Sequence, residues 1–436
     1  MKNFSQLFIG LVLVLLFSNN SFSQIVLSGA DDGSDGTLRK EIMDTPAGGE
    51  ITFAPTVLSV MLTSEIIIDK DITITGGAAS PQMIDGNSVG RIFNITSGNV
   101  VLNNLILTNG LEDNGGAIYV ANANVTINNS TLTNNIANGT PGSGGAIFND
   151  VGGFLMVSNS QITNNQANRA GGGIEDNSGA GIGISLDNVT LDNNNAGVTP
   201  ATAAPGNGGG LHITGAGDAL ITGGTANGNL AALEGGALWN GTGTMTINGT
   251  TIDGNTASGA MANEGGGGLF NAGGILVVTD ATITNNIANG ASGSGGGILN
   301  DMGTLTISNT AINNNTSMRA GGGVEENSSA TSLLTMTNVN LMNNSIGSAP
   351  GNGGGLHITG AGTSNISGGT VSGNIASSEG GGLWNGSGIM TVENIIVSGN
   401  TASGAMANQG GGGLFNAGGT MVVMNATISN NIADGA

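Results

Sequence analysis

The stretch GGAIYVANANVTINNSTLTNN, residues 115–135, decides the fold of this chain. After two glycines, apolar side chains stand at every second position, for example at Val125 and Ile127, with polar residues between them. This period of two is typical of a β-strand with one buried face, because successive side chains point to opposite faces of a sheet. The stretch therefore predicts short strands separated by tight turns, and no helical period competes with it.

The same pattern returns along the chain every 26 to 37 residues. The residue that follows each Gly-Gly-Ala or Gly-Gly-Gly is always Ile, Leu or Val. A second apolar residue lies later in each unit, and Asn follows it three residues on, from Asn135 to Asn431. Asparagine accepts the left-handed backbone of a turn, and stacked copies can form hydrogen bonds along an axis. The first apolar column consists of Ile118, Ile147, Ile174, Leu211, Leu238, Leu269, Ile298, Val324, Leu356, Leu383 and Leu414.

Units this short cannot bury a core alone, but stacked units can. The repeats predict an all-β protein, a right-handed parallel β-helix, with coils ~4.8 Å apart and a short N-terminal cap. We expect the cap over residues 24–50 and the β-helix over 51–436, with about eleven clear coils from residue 115. Within the cap, Thr37 is expected to start a short helix that buries Leu38 and Ile42.

The first 23 residues read as a secretory signal peptide. A short polar start leads into an apolar run, Leu7 to Phe17, which is too short for a membrane span, and small residues precede Gln24. Without this segment the chain has 6 basic and 28 acidic residues, a net charge of −22. Such a balance argues against nucleic acid as a partner. It leaves calcium binding open, for instance at the acidic stretch 30–36, which lacks the spacing of an EF-hand loop and reads more simply as a solvated turn.

The repeats resemble those of the pectate-lyase-like superfamily of right-handed parallel β-helices. More narrowly, the chain is similar to bacterial polymorphic outer-membrane proteins and related surface adhesins. The likeness is carried by GGAI at 115–118 and 144–147, by the TLTNN and TITNN endings, and by DGTLRKEI at 35–42. The Phe-x-x-Asn motif of that group is missing from these coils. The resemblance implies an exported, adhesive surface protein of a diderm bacterium.

A longer repeat lies inside the short one. Five coils are duplicated, so that residues 255–291 match residues 400–436 at 30 of 37 positions. The sequence ends where the next GSGGG would begin, and no capping element follows. We therefore expect further chain beyond residue 436, including the region that anchors the protein to the outer membrane.

The column one residue after the aliphatic one mixes aromatic and charged residues, and its side chains should point outward. It holds both histidines, His212 and His357, which lie five coils apart and so cannot share a metal or a catalytic site. Each has a Glu in the coil before and a Trp in the coil after. Two interpretations of the aromatic members stay open, packing under the loops or a ligand-binding stripe. The predicted binding residues are Tyr119, Phe148, Trp239, Phe270, Trp384 and Phe415.

No catalytic, metal or cofactor site is predicted. Lyases of this fold, by resemblance, use a basic residue beside the substrate uronate and calcium on a carboxylate cluster. Here Arg169 and Arg319 each precede two acids, Glu175-Asp176 and Glu325-Glu326, and a salt bridge closing a turn is the simpler interpretation. The acids are dispersed, whereas glycoside hydrolysis needs carboxyl pairs at one place.

The first functional hypothesis is a secreted or outer-membrane adhesin-like scaffold that presents loops and an outward stripe to an extracellular glycan or a surface protein of a host or neighbouring cell. The alternative is a polysaccharide-degrading lyase or hydrolase of the same fold. An ice-binding solenoid is disfavoured, because the residues flanking the second column mix Thr with Asp, Asn, Met and Gln.

Overall fold

A computed structural model describes residues 23–77, 80–197, 205–327, 333–348 and 350–435. These residues form a right-handed parallel β-helix of about 14 turns, which confirms the predicted fold class. Each full coil passes through three parallel sheets, B, A and C, in that order. The signal peptide prediction lies outside the described residues, except for Ser23, which starts the first strand.

Sheet A is the widest, and most coils cross it with two strands. Its 27 strands are Ser23–Val26, Gly49–Phe53, Ser59–Met61, Ile72–Thr75, Gln82–Asp85, Gly98–Asn103, Leu105–Thr108, Ala123–Asn128, Thr131–Thr133, Phe154–Ser158, Gln161–Thr163, Gly181–Asp187, Thr190–Asp192, Gly217–Thr222, Thr225–Asn227, Thr244–Asn248, Thr251–Asp253, Ile275–Thr279, Thr282–Thr284, Thr304–Ser308, Ala311–Asn313, Leu333–Met342, Thr363–Ser372, Ile389–Glu393, Ile396–Ser398, Thr420–Met424 and Thr427–Ser429.

Sheets B and C consist of one short strand from each coil. The 13 strands of sheet B are Ile66–Ile68, Phe93–Ile95, Ile118–Val120, Ile147–Asn149, Ile174–Asp176, Leu211–Ile213, Leu238–Asn240, Leu269–Ala272, Ile298–Asp301, Val324–Asn327, Leu356–Ile358, Leu383–Asn385 and Leu414–Asn416. The 12 strands of sheet C are Leu111–Glu112, Ile136–Ala137, Gln166–Ala167, Asn195–Ala196, Leu230–Ala231, Thr256–Ala257, Ile287–Ala288, Thr316–Ser317, Ser345–Ile346, Ile375–Ala376, Thr401–Ala402 and Ile432–Ala433.

From residue 115 onward, the glycine pair before each sheet B strand turns the chain from sheet C into sheet B. Gly115 has a φ of 62°, and a Cβ there would lie 2.2 Å from the carbonyl oxygen of Ile118. A Cβ on Gly116 would lie 2.5 Å from the carbonyl oxygen of Gly145 in the next coil. Both positions therefore need glycine, one for its backbone angle and both for the close approach of main chains. The aliphatic residue that follows, such as Ile118, is fully buried and pairs in register with Ile147.

The asparagine column forms a continuous buried ladder at the corner between sheets A and C. From Asn135 to Asn431, each side-chain Nδ2 donates to the Oδ1 of the next asparagine at 2.8 to 3.1 Å. The predicted stacking is confirmed. The turn assignment is wrong, because the left-handed backbone belongs to the preceding residue, such as Asn134 with a φ of 58°.

The N-terminal segment contains the α-helix Leu38–Asp44, with Thr37 at its N-cap and with Leu38 and Ile42 buried. This confirms the predicted helix. In the acidic stretch, the carboxylate of Asp31 forms a 2.7 Å ion pair with Arg39 and accepts a hydrogen bond from the backbone amide of Thr63. In the described part of the chain, no group of three or more His, Asp or Glu side chains could hold a metal ion.

Coils are also present between residues 51 and 115, within the range predicted for the β-helix. Strands Ile66–Ile68 and Phe93–Ile95 belong to sheet B but precede residue 115, and they lack the glycine pair that marks later coils. The predicted boundary after residue 50 falls inside the strand Gly49–Phe53, which pairs with Ser23–Val26. Among the described residues, no helix is long and apolar enough to cross a membrane.

Candidate functional site

The outward column of sheet B brings charged and aromatic side chains of successive coils into one row. Glu175 pairs in register with His212, His212 with Trp239, and Trp239 with Phe270. The duplicated block repeats the same order with Glu325, His357, Trp384 and Phe415. The neighbours predicted for each histidine are therefore confirmed, and the two sets lie about 24 Å apart, five coils at ~4.8 Å each.

Each histidine is fixed by a buried carboxylate. The Nδ1 atom of His212 lies 2.9 Å from Oε2 of Glu175, and the other oxygen of that carboxylate accepts the hydroxyl hydrogen of Thr214 at 2.5 Å. In the second block His357 lies 2.8 Å from Glu325, which also accepts from Thr359 at 2.8 Å. A carboxylate can only accept hydrogen bonds, so the imidazole Nδ1 is the donor in both pairs.

An arginine completes the neutralisation of each glutamate. Nη1 of Arg169 lies 3.7 Å from Glu175, and Nη1 of Arg319 lies 3.5 Å from Glu325. Burial raises the pKa of Glu325, but His357 and Arg319 outweigh it and hold that pKa below its ordinary value. The expected salt bridges are thus present, and they compensate a carboxylate whose side chain is only 1% exposed.

The tryptophan rings have no free face. Trp239 stacks on His212 at 4.2 Å between ring centroids and on Phe270 at 6.0 Å. Trp384 lies in the same way between His357 at 4.2 Å and Phe415 at 6.3 Å. The indole Nε1 of each donates at 2.9 Å to a glutamate, Glu234 or Glu379. The rings of the neighbouring coils therefore cover both faces of each indole, the faces that a sugar would stack on.

The rest of the aromatic column is packed in the same way. Tyr119 stacks on Phe148 at 5.5 Å, and the guanidinium of Arg91 covers Tyr119 at 5.0 Å from the ring centroid. Phe148 is 9% exposed and Phe270 is 2% exposed, so both are buried although they point away from the coil interior. Trp239, Trp384, Tyr119 and Phe415 remain half-buried. The aromatic residues thus pack against one another along the column, and both interpretations, packing under the loops and ligand binding, stay predictions.

Two interior acids were missed by the sequence analysis. Asp176 and Glu326 follow the outward glutamates, so they point inward and are fully buried. Asp176 accepts from Nδ2 of Asn149 at 2.6 Å, and Glu326 accepts from Nδ2 of Asn300 at 3.0 and 2.8 Å. Burial raises the pKa of Asp176 to about 6 and that of Glu326 to about 8. The sequence feature that could have identified them as interior residues is their position two residues after the aliphatic column, where Asn is the most common residue.

The chemistry available to the His–Glu sets is limited by access. A carboxylate that orients an imidazole through Nδ1 leaves Nε2 to exchange a proton, which is the arrangement of a general base. However, the side chains of His212 and His357 are each 4% exposed and those of Glu175 and Glu325 are 1% exposed. A polymeric substrate cannot reach these atoms in this conformation, so the sets stabilise the wall of the β-helix.

Neither a protein-family model nor a curated protein matches this sequence. Among solved structures, the chain is similar to the crystal structure of pectate lyase Pel9A, with a TM-score of 0.33 and 12% sequence identity. The match covers 86% of this chain and 79% of that chain. At this level of likeness the fold of the present chain rests on its own strand pairing, and neither a catalytic nor an adhesive activity follows from the match.

Proposed function

We propose that this protein is a secreted, adhesin-like β-helix of the bacterial cell surface that binds an extracellular glycan or a surface protein through its loops. The observation that carries this proposal is a duplicated pair of loops between sheets C and B. Residues 258–264 and 403–409 share the sequence Ser-Gly-Ala-Met-Ala-Asn, and their methionines, Met261 and Met406, are 60% and 62% exposed.

Both loops are ordered by the same contacts. The amide of Met261 donates to the side chain of Glu264 at 2.9 Å, and the amide of Met406 donates to Gln409 at 3.1 Å. Each turn therefore holds its methionine toward solvent in a fixed position. Methionine side chains adapt to irregular partner surfaces, and two equivalent loops ~24 Å apart suit an extended or multivalent partner.

Export and anchoring are part of the proposal. Export is supported by the leader-like residues 1–23. The strong acidic excess of the chain disfavours nucleic acid as the partner. The buried, hydrogen-bonded state of Glu175 and Glu325 supports a binding role over a catalytic one.

Changing Met261 and Met406 to serine should weaken binding to a glycan array or to a panel of surface ectodomains. Because two linked sites reinforce each other, we expect each single change to reduce apparent affinity by about tenfold or more. Met302→Ser is the matched control, since Met302 is 62% exposed but lies outside these loops. Absence of binding by the unmodified protein, or an equal loss in the control, contradicts the proposal.

A polysaccharide-degrading activity is the second candidate, favoured by one observation: Glu325 orients the imidazole of His357 as a general base is oriented, beside Arg319, although these side chains are buried in the present conformation. If the protein has this activity, it should release products with unsaturated or reducing ends from uronate polymers. Arg319→Ala should abolish that release. If products still form after this substitution, the set is not an active site. If product formation is lost, an enzymatic function replaces the adhesin proposal.

A further inference from the structure

Over seven successive coils, the outermost column of sheet A, where the first strand of the coil begins, alternates between a small and a large side chain. Strand pairing places these residues in one row: five of the six neighbouring pairs are in register, and Thr304 and Leu333 directly precede the paired residues Leu305 and Leu334. The large residues recur at every second coil, about 9.6 Å apart at ~4.8 Å per coil. We name this row the alternating column, and it consists of Thr244, Ile275, Thr304, Leu333, Thr363, Ile389 and Thr420.

The alternation is not a simple consequence of the duplication. One block has five coils, an odd number, so two identical blocks would break the alternation of large and small residues where they meet. At the equivalent positions the residues are instead exchanged, Thr244 for Ile389 and Ile275 for Thr420. The exchange keeps the alternation intact across the junction between the blocks.

The large residues of the column are exposed in a region with few charges. Ile275, Leu333 and Ile389 are 45%, 38% and 49% exposed. The two neighbouring outward columns contain Thr, Ser, Asn and Val from Thr246 to Ser367, and Glu393 is the charged residue that follows in the coil of Ile389. In a chain with a net charge of −21, this face is one where another acidic molecule can approach closely without strong repulsion.

We infer that this face binds a second copy of the same chain, in an antiparallel arrangement with a two-fold axis between the coils of Thr304 and Leu333. An isologous interface must be self-complementary, so that residue i contacts residue j and j contacts i. The axis at this place sets each large residue opposite a small one. The facing pairs are Thr304 with Leu333, Ile275 with Thr363, and Thr244 with Ile389, each occurring twice.

The interlocking of large and small side chains supports this occupant. In the proposed register every aliphatic side chain of one copy fills the space above a threonine of the other, as close packing of apolar side chains requires. Shifting the register by one coil would set Ile275 against Leu333 or Ile389, and Thr against Thr. The alternation therefore excludes shifts by an odd number of coils, and the paired variants below test the proposed axis.

The test is sedimentation velocity of the full chain over a wide concentration range, with two single variants and their combination. Thr304→Leu places two leucines face to face, and Leu333→Thr leaves a gap, so each should weaken the dimer by about tenfold or more, since ~1.4 kcal/mol is tenfold. The double variant restores large against small and should recover the original dissociation constant within about threefold. Met302→Ser, on an exposed turn outside sheet A, is the control and should leave it unchanged.

Unchanged melting temperatures of the variants are expected, because both positions lie on the surface. A monomer at all concentrations overturns the inference, and so does a double variant as weak as either single one. The inference is also overturned if the protein is monomeric, is retained on insoluble cellulose or chitin, and loses this retention in Leu333→Thr. That result would assign the face to a neutral polysaccharide.

Discussion

Asn286→Ala should lower the free energy of unfolding by about 3–5 kcal/mol, the largest single effect expected for a polar residue here. Nδ2 of Asn286 donates to the carbonyl of Ile252 at 3.0 Å and to Oδ1 of Asn315 at 3.0 Å. Its Oδ1 accepts from the amide and from Nδ2 of Asn255 at 3.0 and 2.8 Å. Alanine removes all four bonds and leaves buried groups without partners, which is more expensive than never having made the bonds.

The neighbouring residue provides the matched control. Asn285 is exposed and has a φ of 55°, so Asn285→Gly keeps the turn and should change stability by less than about 0.5 kcal/mol. Urea unfolding followed by circular dichroism measures the total effect. Hydrogen exchange around residues 252–315 locates it, because solenoids can open locally. Equal stability of the two variants would show that the ladder contributes no more than an exposed turn.

The asparagine ladder also shows how far the sequence could lead. Its column was visible because Asn returns at a fixed distance from an aliphatic residue, and stacking follows from parallel coils. The partners of His212 were likewise predictable, since register in sheet B brings Glu175 and Trp239 beside it. Period and register are local properties of the repeat, and one sequence is sufficient to reveal them.

The sequence could not reveal how the outward side chains pack on the outer surface of the coils. Phe270 points away from the interior, yet it is only 2% exposed, and a repeat period does not predict that burial. The ring faces of Trp239 and Trp384 are covered as well, by the rings of the neighbouring coils. Stacking along the axis uses the same faces that a sugar would use, so an outward aromatic column in a β-helix offers edges to solvent.

The adjacent acids were a second source of error. Glu175-Asp176 and Glu325-Glu326 read as pairs at one turn, but strand geometry directs successive side chains to opposite faces. One member of each pair therefore lies in the wall with His and Arg. The other lies inside the coil, where Asp176 accepts from Asn149 and Ser178, and Glu326 accepts from Asn300. The alternating column was hidden because insertions between coils obscure which strand-initial residues are neighbours.

The interior acid of the second block should make the protein less stable as the pH rises. The pKa of Glu326 is raised from its ordinary 4.5 to about 8 by burial, with Asn300 the hydrogen-bonding partner. Between these two values the unfolded chain has lost the proton while the native carboxyl still holds it. The unfolded state then binds fewer protons, so stability decreases from about pH 4.5 to about pH 8 and levels off above.

Glu326→Gln removes this dependence, because the amide oxygen can still accept from Asn300 and no proton is exchanged. The difference in unfolding free energy between variant and wild type should shift in favour of the variant by roughly 4 kcal/mol from pH 4 to pH 9. Asp176→Asn is the comparison in the first block, where the pKa of about 6 predicts a smaller shift that is complete near pH 6. Urea unfolding at pH 4, 6 and 9 distinguishes the shift of Glu326→Gln from that of Asp176→Asn. If the stability of wild type and of Glu326→Gln changes with pH in the same way, Glu326 is ionised inside the coil. In that event the buried carboxylate would need a compensating cation beside Asn300, because an unpaired charge in that apolar interior would be too costly to retain.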